Sequence, residues 1–162
     1  MNHWDEIIAL RDQQRANLRE PIIIVKGANR QQENSAMGLL RWYMHPAMQN
    51  NALQTMNFYE QELPPGSRSG RLQFQGGQVM FILEGRGHTL VDGVKHPWEA
   101  GDVLNLPLRR DGIVVQHING DPENPAKFVV VEPNLLQTAT VDRGAGFDLI
   151  EASPDYVKGA TS

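Results

Sequence analysis

The feature that most limits the fold of this chain is a regular alternation of short apolar runs and turn signals from Pro64 to Val131. Pro64-Pro65-Gly66 is a turn. Val79-Met80-Phe81-Ile82-Leu83 is strand-like and is stopped by Glu84-Gly85-Arg86-Gly87. His88–Val91 then runs into Asp92-Gly93, a pair that tolerates the positive φ angles of a two-residue hairpin. Ala100-Gly101-Asp102 turns the chain into Val103–Leu106, which Pro107 closes, and Ile113–Ile118 and Phe128–Val131 follow as further strands. Short strands with turn signals about every 8–12 residues fold as a sandwich or jelly roll. With 15 Gly and 10 Pro in 162 residues the chain is rich in turns, and its length suits one domain with a proper core but is short for two. No internal repeat of about 20–50 residues is visible.

Upstream, Leu39–Met44 and Met56–Leu63 read as strands separated by the amide-rich loop Gln49-Asn50-Asn51. Pro21-Ile22-Ile23-Ile24-Val25-Lys26 is a β-branched run and reads as another strand, with Gly27–Ala36 as a loop. Residues 3–19 predict one helix: Trp4, Ile7, Ile8 and Leu18, with Ala9 and Ala16 nearby, recur at roughly helical spacing, and Pro21 ends it. The stripe names a face but not its partner, so the helix either folds onto its own barrel or packs on another subunit. The expected organisation is a helical arm over 1–20, a β-barrel over 21–137 and a weakly patterned tail over 138–162 with a frayed end.

Composition removes several classes of function. The formal net charge is -4. The densest basic spots, Arg68–Arg71 and Arg109–Arg110, make no stripe of the kind that phosphate backbones require, so nucleic acid is not an expected partner. The absence of cysteine excludes disulfides, thiolate metal sites and a cysteine nucleophile. The longest apolar runs are too short for a membrane-spanning helix, so no membrane partner is expected. Met1-Asn2-His3-Trp4-Asp5-Glu6 lacks a basic segment followed by an apolar one, and the expected compartment is the cytoplasm.

Pro65-Gly66, Gly76–Gly87, Asp92-Gly93, Trp98-Glu99-Ala100-Gly101-Asp102-Val103 and Leu106-Pro107 resemble the two conserved blocks of the cupins. The resemblance covers residues 56–134, about half of the chain. It implies an all-β fold: a single cupin (jelly-roll β-barrel) domain carrying the N-terminal helical arm. In cupins an H-x-H pair, a Glu and a further His converge on a first-row divalent metal, which favours imidazole and carboxylate donors. Counted back from Glu84-Gly85, the paired His positions fall on Leu72 and Phe74, and the Glu position on Gln78. Val115-Gln116-His117-Ile118-Asn119 is similar to a cupin stretch H-Q-H-F-N, which places the last His at Val115. Three imidazoles are thus replaced by hydrocarbon and the carboxylate by a neutral amide. A divalent ion there would lose hydration without replacement, so no metal is expected in this chain.

The five histidines, His3, His45, His88, His96 and His117, do not rebuild the site. The hairpin register pairs Thr89 with His96, which puts His88 and His96 on opposite faces. Only His117 shares the inward face of Val115. As a lumen residue it either bonds a backbone carbonyl or Gln78, or it orients a small ligand or works as an acid/base. The inferred lumen of Leu72, Phe74, Gln78, Met80, Val115 and His117 reads as a filled core, and Asp111, Glu60 and Glu62 as solvated residues.

Gly76–Gly87, Trp98–Asp102 and Gln116–Asn119 are most similar to cupins of aromatic-ring cleavage, near the gentisate dioxygenases. In size, arm and missing ligands the chain resembles the small, metal-less subunits of two-component hydroquinone dioxygenases. That resemblance implies a larger cupin-type catalytic subunit as partner, a heterotetramer of α2β2 type, Fe(II) in that partner, and cleavage of hydroquinone to 4-hydroxymuconic semialdehyde. This chain would supply no catalytic residue, and Trp4, Ile7 and Ile8 would be its contact with the partner. A metal-free ligand-binding or regulatory cupin, and a metal-independent epimerase or isomerase using His117, are the other readings.

Overall fold

Asp92 and Gly93 adopt φ angles of 51° and 83°, the left-handed pair that lets two strands turn back without splaying. The computed structural model describes residues 2–48, 50–134 and 147–156. It builds two antiparallel sheets. One contains β1 (Glu33–Ser35), β2 (Gly38–Met44), β3 (Met56–Leu63), β5 (Val79–Glu84), β8 (Val103–Asn105) and β10 (Ala126–Pro133), in the order β1-β2-β3-β10-β5-β8. The other contains β4 (Arg71–Phe74), β6 (Arg86–Val91), β7 (Val94–Glu99), β9 (Ile113–Asn119) and β11 (Phe147–Glu151), in the order β11-β4-β9-β6-β7. The chain crosses repeatedly between the sheets, as a jelly roll requires.

Period-two burial shows which faces meet. Asn57, Tyr59, Gln61 and Leu63 of β3 are buried, as are Met80 and Ile82 of β5 and Ala126, Phe128 and Val130 of β10. Trp98 and Leu40 join this cluster, and Leu106, Ile113 and Val115 form a second one. Each fully buried large side chain contributes about 1.5–3 kcal/mol relative to exposure.

Several polar groups inside this shell hold the chain by hydrogen bonds to the backbone. Asn119 closes the barrel end: its Nδ2 donates to the carbonyls of Leu63, Pro64 and Asn124 at 3.2, 3.0 and 2.8 Å, and its Oδ1 accepts from Asp121 N at 2.9 Å. Asn119→Ala is expected to cost about 2 kcal/mol, because it strands buried carbonyls rather than merely losing a contact. A urea midpoint indistinguishable from wild type would contradict that role.

The predicted helix forms as α1 (His3–Asn17). Asn2 Oδ1 accepts from Asp5 N at 2.9 Å and Asp5 reaches back to Asn2 N, a reciprocal cap. No residue of α1 is buried. The helix therefore does not fold onto its own barrel.

Two expectations fail. Pro21–Lys26 is not a strand: only Ile22 bridges, to Asn51, while Ile23 and Ile24 stay exposed. β propensity has effect only where a partner strand offers hydrogen bonds, and here the neighbouring chain is a loop. The expected loop Gly27–Ala36 instead contains a short 3-10 turn and β1, which pairs with β2. Beyond the expected barrel, Phe147–Glu151 adds β11 to the edge of β4. Within the tail, 138–146 and 157–162 with the expected frayed end lie outside the described residues.

Candidate functional site

Of the positions where the resemblance expects metal ligands, Leu72, Phe74 and Gln78 line one pocket, and Val115 lies next to Leu72 in the sheet. Leu72 of β4 lies opposite Val115 of β9, and Phe74 opposite Ile113, so Leu72 and Val115 project from the same face. Val115 is packed with Leu106 and Ile113, against the partly buried Phe74. Leu72, Phe74 and Gln78 line a pocket of about 290 Å³ between the sheets.

These side chains do not fit a divalent ion. Leu, Phe and Val have no donor atoms, and the Gln78 Nε2 is already engaged with Glu132. Among the described residues no group of three or more His, Asp or Glu is placed to hold a metal. His88 and His96 fall on opposite faces of the hairpin, because Thr89 pairs with His96 and His88 with Pro97.

The lumen is not the filled core expected from the sequence. Met37, Leu40, Trp42, Pro46 and Phe147 complete an apolar wall, and the polar groups on it are His45, Asn57, Tyr59, Gln78 and Glu132. Leu72 and Phe74 stay half-buried, with space beside them.

Glu132 is the centre of the polar group. Its Oε1 accepts from Asn57 Nδ2 at 3.2 Å and its Oε2 from Gln78 Nε2. Tyr59 is hydrogen-bonded to it as well. Burial pushes the Glu132 carboxyl above the usual range, although Asn57, Gln78 and Tyr59 each favour its charged form. Burial also raises Tyr59 well above a free phenol, and the Glu132 charge adds to this. Both shifts follow from placing ionisable groups in low dielectric. His45, which follows β2 and precedes Pro46, stands on the pocket wall beside Trp42, ring centroids 4.8 Å apart. Its Nδ1 accepts from Ala47 N at 3.1 Å, which leaves the neutral ring's proton on Nε2.

His117 is buried but does not line the pocket. Its Nδ1 lies 2.8 Å from Thr89 Oγ1, which accepts from Trp98 Nε1 at 3.0 Å. The partner is thus a hydroxyl, not the backbone carbonyl or Gln78 expected. The Phe128 ring packs edge-on at 5.3 Å. Burial drives the imidazole down to about 4, so it is neutral near pH 7 and serves as a core hydrogen-bonding group.

Sequence reasoning missed Glu132, Tyr59 and Asn57. Glu132 faces Asn57 across the β3–β10 ladder, while Tyr59 faces Val130. The available signal was alternation: Ala126, Phe128 and Val130 face inward, and Glu132 is the next residue on that row.

No family model matches the sequence. Among solved structures, a cupin-like protein of Thermotoga maritima superposes with a TM-score of 0.54 at 16% identity, over 80% of this chain and 89% of that one. A Cupin 2 conserved barrel domain protein of Salinispora arenicola superposes with a TM-score of 0.50 at 24% identity, over 68% and 85%. The chain has the cupin fold. By sequence, this chain is 27% identical over 106 residues to 5-aminosalicylate 1,2-dioxygenase of a Comamonas species. That match spans 65% of this chain but only 27% of the dioxygenase.

Proposed function

We propose that this cupin is the small, non-metal-binding subunit of a hetero-oligomeric Fe(II)-dependent ring-cleaving dioxygenase. Its catalytic partner is a larger cupin-type chain that holds the iron and cleaves hydroquinone to 4-hydroxymuconic semialdehyde. The observation that carries the reading is that Leu72, Phe74, Gln78 and Val115, at the positions where the resemblance expects metal ligands, offer only hydrocarbon and a neutral amide. The similarity to a 5-aminosalicylate 1,2-dioxygenase supports a dioxygenase as the class of enzyme. A barrel without ligands contributes to such an enzyme by covering apolar surface of its partner and holding the shape of the partner's pocket.

Two surfaces suit that contact. Trp4, Ile7 and Leu10 of α1 are 68%, 56% and 65% exposed, while Ile8 is half-buried. A helix of this length is marginal in water without tertiary support, so a partner would supply the burial that its own barrel does not. On the outer face of β5, Val79, Phe81 and Leu83 alternate with buried Met80 and Ile82, and Phe81 pairs with exposed Val103. Contiguous exposed apolar strips of this kind mark protein contacts.

The test is to tag the chain in its own host, purify it gently and weigh the assembly by intact mass spectrometry. A larger cupin in fixed ratio, with iron and hydroquinone-dependent oxygen uptake, is the expected result. Isolation of the chain alone would overturn the subunit reading. The double variant Trp4→Ser/Ile7→Ser is expected to weaken association by about tenfold or more. Neither side chain is packed in the barrel, so the unfolding midpoint of the free chain should stay at the wild-type value.

A further inference from the structure

The polar group in the pocket has more acceptors than donors. Glu132 takes hydrogen bonds from Asn57 Nδ2, Gln78 Nε2 and Tyr59, while an ionised carboxylate offers about four lone-pair sites. Asn57 is 7% exposed, and its Oδ1 receives no hydrogen bond from any described residue. No lysine or arginine is among the described residues on the pocket wall. A buried acceptor left open costs its full desolvation, so an arrangement of this kind is suited to a donor brought by a ligand.

The rest of the wall defines the body of that ligand. Trp42, Phe74 and Phe147 present aromatic rings, with Leu40 and Leu72 beside them. The volume of about 290 Å³ is at the lower end of small-molecule sites, roughly 300–1,000 Å³. That suits one ring with a small substituent.

We infer that this pocket is a binding site for a single-ring aromatic molecule carrying a hydroxyl or amino donor, which is received by Glu132 and Asn57. The aromatic wall takes the ring, and the acceptor pair selects for the donor. An anionic substituent is rejected by Glu132. The site needs no metal and is formed by this chain alone, so it stands whether or not the chain is a dioxygenase subunit.

The experiment is calorimetric titration of the full chain, in the assembly in which it purifies, with phenol, aniline, anisole, toluene and benzoate. Phenol and aniline are expected to bind saturably at one site per chain, about tenfold or more tightly than anisole and toluene, because only the first two satisfy the open acceptors. Benzoate is expected not to bind. Glu132→Gln should lower phenol affinity by about tenfold or more and leave toluene unchanged. Equal affinities for phenol and anisole, or no saturable binding of phenol at millimolar concentration, would overturn the inference. If Glu132→Gln does not fold, the phenol-to-anisole ratio of the wild-type chain still decides it.

Discussion

Gly87→Ala is expected to destabilise the barrel by more than about 3 kcal/mol, the upper range for overpacking a closed site. A Cβ at this position would lie 2.1 Å from the Ile118 carbonyl oxygen and 2.6 Å from Trp98 Cη2. The oxygen belongs to the backbone of β9, which pairs with β6 here, so it cannot rotate away. Trp98 lies opposite Gly87 on β7 and packs against Phe128, ring centroids 6.2 Å apart. It also donates to Thr89, and through it supports His117. Displacing the indole would disturb all three. Gly93→Ala separates space from conformation: nothing lies within 4 Å of a Cβ there, but φ is +83°, so a cost of only about 1 kcal/mol is expected. Urea unfolding of both variants, with near-ultraviolet circular dichroism to report on Trp98, checks the contrast. Equal and small losses would mean that Trp98 does not lie against Gly87.

Acidification from neutral pH to about pH 4 is expected to remove about 3 kcal/mol of stability through His117 alone. The imidazole is lowered from 6.5 to about 4 in the folded chain. Between those values the unfolded chain takes up a proton that the folded chain refuses, so folding weakens as pH falls through this window. The stabilisation is fully present above about 6.5. Glu132 acts in the opposite direction: burial raises its carboxyl, so its contribution is present at acid pH and is lost as pH rises through the raised value. As pH falls from neutrality, the loss through His117 is therefore partly offset by Glu132. Urea midpoints followed from pH 7 to about pH 4 in wild type and His117→Gln should separate the two, with the variant showing the flatter curve. Parallel curves would show that His117 titrates alike in both states.

The sequence alone was enough for the barrel, because its information is local. Asp92-Gly93 dictates a hairpin whatever surrounds it, and its register, Val91 to Val94 through Thr89 to His96, follows by counting. The alternation of Met80 and Ile82 with Val79, Phe81 and Leu83 assigns an inward face by the pleat alone. The resemblance placed Leu72, Phe74 and Gln78 by an offset from Glu84-Gly85, and the structure adds that these three line one pocket.

Tertiary structure decided what depends on partners distant in the chain. Pro21–Lys26 has strand propensity but no sheet edge to join, so it stays irregular. Phe147–Glu151 has weaker patterning and becomes a strand because β4 has a free edge. Glu132 meets Gln78 across 54 residues and Asn57 across 75, and no spacing rule links them. Whether hydrocarbon at Leu72 and Phe74 fills a lumen or lines a pocket is a matter of the distance between two sheets. That distance is set by every side chain between them, and so it appears only once the chain has folded.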